Sequence, residues 1–474
     1  MRRFTSLMFL STAILAVACG DEDDPDPPGE TARIRVVHAS AGAPAVDVYA
    51  EGVATPLIAD LAYGEASAYV EVAAGSYNLQ VRAAGAPATD APVYETGAVA
   101  LAADATVTAV AAGVLGSTSA DEEFRVLALA EAFDPAASGE AQVRVVHASA
   151  DAPTVGVDVG NDDPAAPEVA SLARFADTGA AGIGLPAGAA LQLGITAGGA
   201  TVTAFTTPAL PAGADLFVIA LGRLADLPRQ DSGFALLAVG PAGVVGRIDQ
   251  NPVVYALHAS PDAPDVDIRE ASSDGLLIGA LPYGGLDSVQ VPPGSYTLDF
   301  YGAGSPAGTP AASATTPALA AGQRYLAVAT GFLSPVGDEP GFQLIAVADE
   351  FALDDPDARL RAIHASPDAP AVDIGTAVGF TMDAPVLIED AAFGDATAGA
   401  GLSVPAAALT LGVAAANAPT AVATFGVTTT AGLRAFAVAT GALSPAGDEA
   451  PFALTVVDTT ASPWTVAALA PSVP

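Results

Sequence analysis

The sequence predicts an all-β protein, a tandem array of four immunoglobulin-like antiparallel β-sandwich domains. Three observations carry this. A phrase built on His-Ala-Ser recurs four times at domain-sized intervals. Between the copies run short segments of alternating apolar and polar residues, cut by Gly, Pro, Asp and Ser. No long stretch shows a helical period with caps.

Composition narrows the class further. The chain has 474 residues, a net charge of −37, and 16 basic residues, all arginine. Hydrophobic residues make up 51%, too many for a disordered chain. The acidic field repels polyanions and excludes nucleic acid as a partner. At this length several domains are expected rather than one core.

Residues 1–18 read as a signal peptide. Arg2 and Arg3 precede an uncharged, mostly apolar run over 4–18. That run is too short to span a bilayer as a helix. It ends in Leu15-Ala16-Val17-Ala18-Cys19-Gly20, which resembles the bacterial lipobox, with Ala16 where leucine is usual. Cys19 is the only cysteine, so lipidation is expected there. Several acyl chains together anchor a protein stably. No disulfide is then possible, and the domains must hold by core packing. Residues 19–31 are acidic and proline-rich, an extended tether.

The repeats follow. His38, His147, His258 and His364 stand 109, 111 and 106 residues apart. They define units over 32–134, 141–247, 252–350 and 358–458, with a tail over 459–474. Within a unit, His-Ala-Ser leads to an Ala-Pro turn and a short strand ending in Asp. Later comes an Ala/Val/Thr-rich strand ending at glycine, at 107–113, 217–222, 326–331 and 436–441. A last strand closes the unit, as at 342–347 and 452–457. About seven strands per hundred residues suit a sandwich. The linkers are short, which predicts a semi-rigid string. Units one and three share Gly-Ser-Tyr, at Tyr77 and Tyr296, and the even units lack it. The repeat history is therefore a duplicated pair. Units one and two, and three and four, should pack as similar blocks, with these tyrosines either at the junction or in their own cores.

The phrase His-Ala-Ser-Pro-Asp-Ala-Pro is intact at 258–264 and 364–370. It resembles the motif of DUF4397, a family of bacterial and archaeal exported domains of unknown function. The first two copies carry Ala41-Gly42 and Ala150-Asp151 in place of Pro-Asp. The resemblance implies secreted, lipid-anchored or wall-attached repeats, and it brings no catalytic residue.

The motif residues are His38 with Asp47, His147 with Asp158, His258 with Asp267 and His364 with Asp373. Zinc catalysis wants three protein ligands, and each unit offers one histidine and no cysteine. Ser40 follows His38 by two on one strand, which places their Cβ atoms roughly 7 Å apart, poorly set for a nucleophile and its base. All eight residues are therefore expected to be structural, with the histidine tying its turn to backbone or Asp. No catalytic residue, metal or cofactor is expected. Arg35, Arg144 and Arg361 share a column with Tyr255, and a structural ion pair with the strand Asp is expected there. Asp262, Asp265 and Asp267, Asp338 with Glu339, and Asp448 with Glu449 lack calcium-loop spacing and read as solvated loops.

The expectation is a non-catalytic, lipid-anchored cell-envelope protein for binding, adhesion or envelope structure. Its partners are the membrane, through the N-terminal lipid, and a protein or glycan ligand. Gly20, not Asp, after Cys19 favours the outer membrane by resemblance to enterobacterial lipoprotein sorting, and the expected location is the outer membrane or cell surface. The alternative is a secreted hydrolase using the repeated His/Asp position. A pocket between units with convergent polar groups would separate the two. A membrane β-barrel is set aside, because aromatics are only 6% and form no girdle.

Overall fold

The computed structural model describes residues 30–306, 308–353 and 356–474. The signal segment, Cys19 and all but the end of the tether lie outside the described residues. Unit one has eight strands: β1 (Thr31–His38), β2 (Val46–Ala50), β3 (Ile58–Leu61), β4 (Val70–Ala73), β5 (Gly75–Ala83), β6 (Tyr94–Leu101), β7 (Thr106–Ala112) and β8 (Arg125–Ala130). They form two sheets, β4-β1-β7-β8 and β3-β2-β5-β6. The same order recurs in the other three units. The chain is an all-β tandem array of sandwiches.

The strand order adds two details. A constant immunoglobulin domain orders its sheets A-B-E-D and C-F-G, and these sheets do not. Nor are the sheets wholly antiparallel. β1 runs parallel to β7, with Val36 opposite Ala109, and the matching strands do so in every unit. Parallel neighbours need a long crossover, and the intervening strands supply it.

Even units carry a ninth strand. Gly243–Ile248 pairs with Ala235–Gly240, and Thr465–Leu469 pairs with Ala453–Asp458. The chain then bridges to the other sheet, at Phe205 with Gln250 and at Thr424 with Ser472. The expected tail over 459–474 is thus built into unit four. Its alternating Thr465–Leu469 run covers the edge of Ala453–Asp458 and becomes the outer strand of that sheet.

The sheet holding β1 is apolar on both faces. Ile34, Val36, Val107 and Ala109 point into unit one. Val37, Val110 and Leu129 point out, against Phe217, Ile219, Leu237 and Val239 of unit two. Tyr255, Leu257 and Val328 meet Ile363, Phe436 and Val438 in the same way. The units therefore pack as two sheet-on-sheet pairs, one and two, three and four. Tyr77 and Tyr296 lie in their own cores, and each hydroxyl donates locally, to Ala73 O at 2.7 Å and Pro292 O at 2.6 Å. The tyrosine alternation is not the junction.

The arginine column is. Arg35 shares the outward face of β1 with Val37, since alternate residues share a face. Its Nη1 donates to Gly240 O of unit two at 2.5 Å, and Arg144 Nη1 donates back to Ala130 O of unit one at 2.7 Å. This reciprocity is that of an isologous interface. The expected partner, the strand Asp, sits on the other sheet. The ion pairs are instead Arg35 with Glu131 at 3.6 Å and Arg144 with Asp177 at 2.8 Å. In the second pair Arg361 Nη1 donates to Ala348 O at 2.6 Å. Its counterpart Tyr255 stacks on Trp464 at 4.1 Å and 10°.

Candidate functional site

Each motif histidine ends the first strand of its unit and points between the sheets. All four are at most 1% exposed. Nε2 meets the carbonyl oxygen of Pro44, Pro153, Pro264 and Pro370 at 3.0, 2.9, 3.0 and 3.1 Å. A carbonyl can only accept, so Nε2 carries the proton. Nδ1 accepts from the backbone N–H of Ser40 at 3.3 Å and of Ser366 at 3.4 Å. Burial lowers the pKa of all four rings, which favours the neutral imidazole.

The serine hydroxyls do not meet the rings. Ser40, Ser149, Ser260 and Ser366 donate to the carbonyls of Gly113, Gly222, Gly331 and Gly441, at 2.7, 2.8, 2.6 and 2.6 Å. Those glycines hold φ of +82°, +81°, +87° and +78°. A Cβ there would collide with the carbonyl oxygen of Glu123, Gly233, Gly341 or Pro451. Only glycine lets the chain turn so close to the returning loop.

The strand aspartates clamp bulges. Asp47 accepts from Asp60 N at 2.8 Å and Gly85 N at 2.9 Å. Asp267 accepts from Ala280 N and Gly304 N, and Asp373 from Asp390 N and Asn417 N, at 2.8 and 3.0 Å in each case. Asp60, Ala280 and Asp390 have φ of +51°, +49° and +47°, a conformation the carboxylate holds in place. The two backbone bonds to Asp267 push its pKa down. None of these carboxylates reaches a histidine. In unit two the equivalent bulge residue is Gly156, not Asp158. A Cβ at Gly156 would strike Thr196 Oγ1. Asp158 lies two residues further along, 1% exposed, and accepts from Asp163 N at 3.1 Å.

A second aspartate column escaped sequence reasoning. Asp151, Asp262 and Asp368 each take two consecutive N–H groups of the loop after their own seventh strand. The pairs are Leu224 with Ala225, Leu333 with Ser334, and Leu443 with Ser444, at 2.6–2.9 Å. The signal was the Asp of the motif itself, and Gly42 marks where unit one lacks it. Asp262 and Asp267 are thereby occupied. Among the described residues no three His, Cys, Asp or Glu side chains are grouped to hold a metal.

Across each junction a motif loop faces the partner's loop. In the first pair they leave a cleft of about 960 Å³, lined by Pro44 and Tyr63 of unit one and Gln230, Asp231, Ser232 and Arg247 of unit two. Its pseudo-symmetric counterpart, at Pro153, Arg174 and Phe175, is smaller, about 370 Å³. In the second pair the corresponding loops touch, with Ala450 N donating to Pro261 O at 2.9 Å. Tyr63 stands edge-on to His38, its ring 6.0 Å away. Its hydroxyl is buried without a partner among the described residues, and burial pushes its pKa up to about 12.

No curated protein matches this chain. Among solved structures, the Bacillus anthracis TIE protein is similar at 10% identity and a TM-score of 0.12, over 57% of this chain. The similarity spans 45% of that protein's chain, less than half its length. Residues 32–158 and 252–375 match the family described as Domain of unknown function (DUF4397). Each matched stretch begins at the first strand of an odd unit and ends within the second strand of its even partner. With more than half its length matched, at equivalent places in both pairs, the chain belongs to the DUF4397 family of domains of unknown function.

Proposed function

We propose that this is a non-catalytic cell-envelope protein, lipid-anchored through Cys19, whose sandwich pairs serve binding, adhesion or envelope structure. One observation supports this reading over hydrolysis: each motif histidine spends its Nε2 proton on a proline carbonyl, each motif serine donates to a glycine carbonyl, and the strand aspartates accept from backbone N–H groups. The cleft between units one and two has the polar lining expected of a binding site, and no histidine lines it. The acidic tether holds the sandwiches off the bilayer. The partners are the membrane, through the lipid, and a protein or glycan ligand, without nucleic acid or cofactor. The outer membrane or cell surface is the proposed location.

Mass spectrometry of membrane-extracted protein tests the anchor. An acylated peptide beginning at Cys19 is expected, and a soluble product cleaved elsewhere overturns it. His258→Ala tests the structural role. It strands the Pro264 carbonyl, at a cost of about 1–3 kcal/mol. A hydrolytic activity lost at an unchanged melting temperature would replace this reading with the hydrolase.

A further inference from the structure

The donor and acceptor inventory of the unit one–unit two cleft identifies a ligand class. Of its two arginines, Arg247 is fully committed, and Arg229 spends Nη2 while its Nε is buried away from the cleft's solvent. Arg247 donates from Nε to Asp249 at 2.7 Å, from Nη1 to Asp231 O at 2.5 Å, and from Nη2 to Gln230 O at 3.2 Å and Gly233 O at 3.3 Å. Arg229 turns to unit three, to Phe351 O at 2.6 Å and the Asp349 carboxylate at 3.7 Å. Neither offers an anion a free fork, and the net charge of −37 opposes an anion's approach. A cation would meet the Asp231 carboxylate with the Arg247 guanidinium beside it.

What remains uncommitted is neutral or singly acidic. The Tyr63 hydroxyl, enclosed at the wall of the cleft, has no partner among the described residues. The side chains of Asp231 and Ser232 make no hydrogen bond among the described residues. Ala43, Pro44 and Ala62 give the cleft an apolar side, with Leu221 and Leu237 buried beneath it. Hydroxyls, one carboxylate acceptor and an apolar surface match a molecule that bears hydroxyls on its edges and C–H groups on its faces. We propose that the cleft between Tyr63 of unit one and Asp231 and Ser232 of unit two binds a neutral saccharide. This rests on the binding reading above.

The second pair is an internal control. Tyr283 occupies the column of Tyr63, also edge-on to its histidine, at 5.8 Å. It lies against Thr440 of unit four, and the loops there are tied through Ala450 and Pro261. The loops that stand apart in the first pair are drawn together here.

The test is calorimetric titration of the full chain with maltotriose, cellotriose and triacetylchitotriose, with inorganic phosphate and spermidine as charged probes. At least one trisaccharide is expected to saturate at a single site, with no binding of phosphate or spermidine. Tyr63→Phe and Asp231→Asn should each weaken binding about tenfold, and Tyr283→Phe should leave it unchanged. Melting curves of the variants establish that they fold. The proposal is overturned if no trisaccharide binds, if Tyr63→Phe binds like the parent, or if a charged probe binds in their place. A failed anchor at Cys19 leaves this titration untouched, so the two failures are separable.

Discussion

The two junctions share one half and differ in the other. In both, a phenylalanine from the linker packs on a phenylalanine of the even unit: Phe133 on Phe217 at 5.3 Å and Phe351 on Phe436 at 5.0 Å. In both, the even unit's arginine lies over such a ring, Arg144 at 5.7 Å and Arg361 at 5.1 Å, and donates to a carbonyl of the odd unit. The odd unit's contribution is exchanged. Arg35 buries a guanidinium against Gly240 O, Thr108 and Glu131. Tyr255 instead stacks on Trp464, whose indole N–H has no partner among the described residues. The half crossed by the linker keeps its chemistry, because the same covalent connection threads it. The other half needs only to fill the space between two sheets. A paired charge or a stacked ring does so equally well.

The largest expected effect lies in the exchanged half. Trp464 is 5% exposed, and Trp464→Ala should cost about 3–5 kcal/mol in the second pair. It is the only tryptophan in the chain, so in the parent protein its emission reports that junction alone. Denaturant unfolding followed by circular dichroism measures the loss, and an unchanged curve would mean that the stack supports nothing. Arg35→Ala should cost less, about 1–3 kcal/mol, from the Gly240 carbonyl left unpaired in the first junction. Its signature is an early circular-dichroism transition with Trp464 emission unmoved. If both signals shift together, the contacts between units two and three couple the pairs into one cooperative unit: Arg229 with Asp349 and Phe351 O, and Gln290 with Thr203 and Ala204 N.

Much of this was legible in the sequence. The four histidine phrases set the number of units, and the odd/even likeness pointed to pairs. The junction was legible too, but in a different signal. Residues 34–37 and 217–221 are continuous apolar runs interrupted by one arginine or none. Strands that read this way are buried on both faces. The tyrosine alternation drew attention because it was conspicuous, yet Tyr77 sits on the sheet that faces away from the junction. Asp158 stands off the aspartate column because register and not residue type defines that column, and in unit two it falls on Gly156. The parallel pairing of β1 with β7 has no local signature, since either direction buries the same residues. The cleft could not be read at all, because it is built by loops nearly 190 residues apart.

Acidification should act on both pairs alike. Each histidine is favoured neutral in the folded protein, its pKa lowered by burial, whereas the unfolded chain protonates near the ordinary value of about 6.5. Below that pH the unfolded state binds more protons, so stability falls as pH falls. Stability should be level from about pH 8 to 7 and then decline in both pairs as pH drops through about 6.5. Unfolding midpoints across this range provide the check. A rise on acidification would mean that the rings are charged in the fold.

The smallest effect separates ancestry from mechanics. Tyr77→Phe and Tyr296→Phe each remove one hydroxyl. Each hydroxyl donates to a carbonyl four residues back in its own unit, at an exposed position. Water replaces such a bond readily, so each change should cost no more than about 0.5 kcal/mol. The rings remain to pack against their own cores, so neither junction loses a contact. The readout is therefore comparative: neither variant should move Trp464 emission, and neither should alter the difference in stability between the pairs. A larger loss in Tyr296→Phe accompanied by a shift in that emission would place the tyrosine in mechanical contact with the second junction. Equal and small losses leave the shared Gly-Ser-Tyr as a trace of the duplication, held in place by each unit's own core.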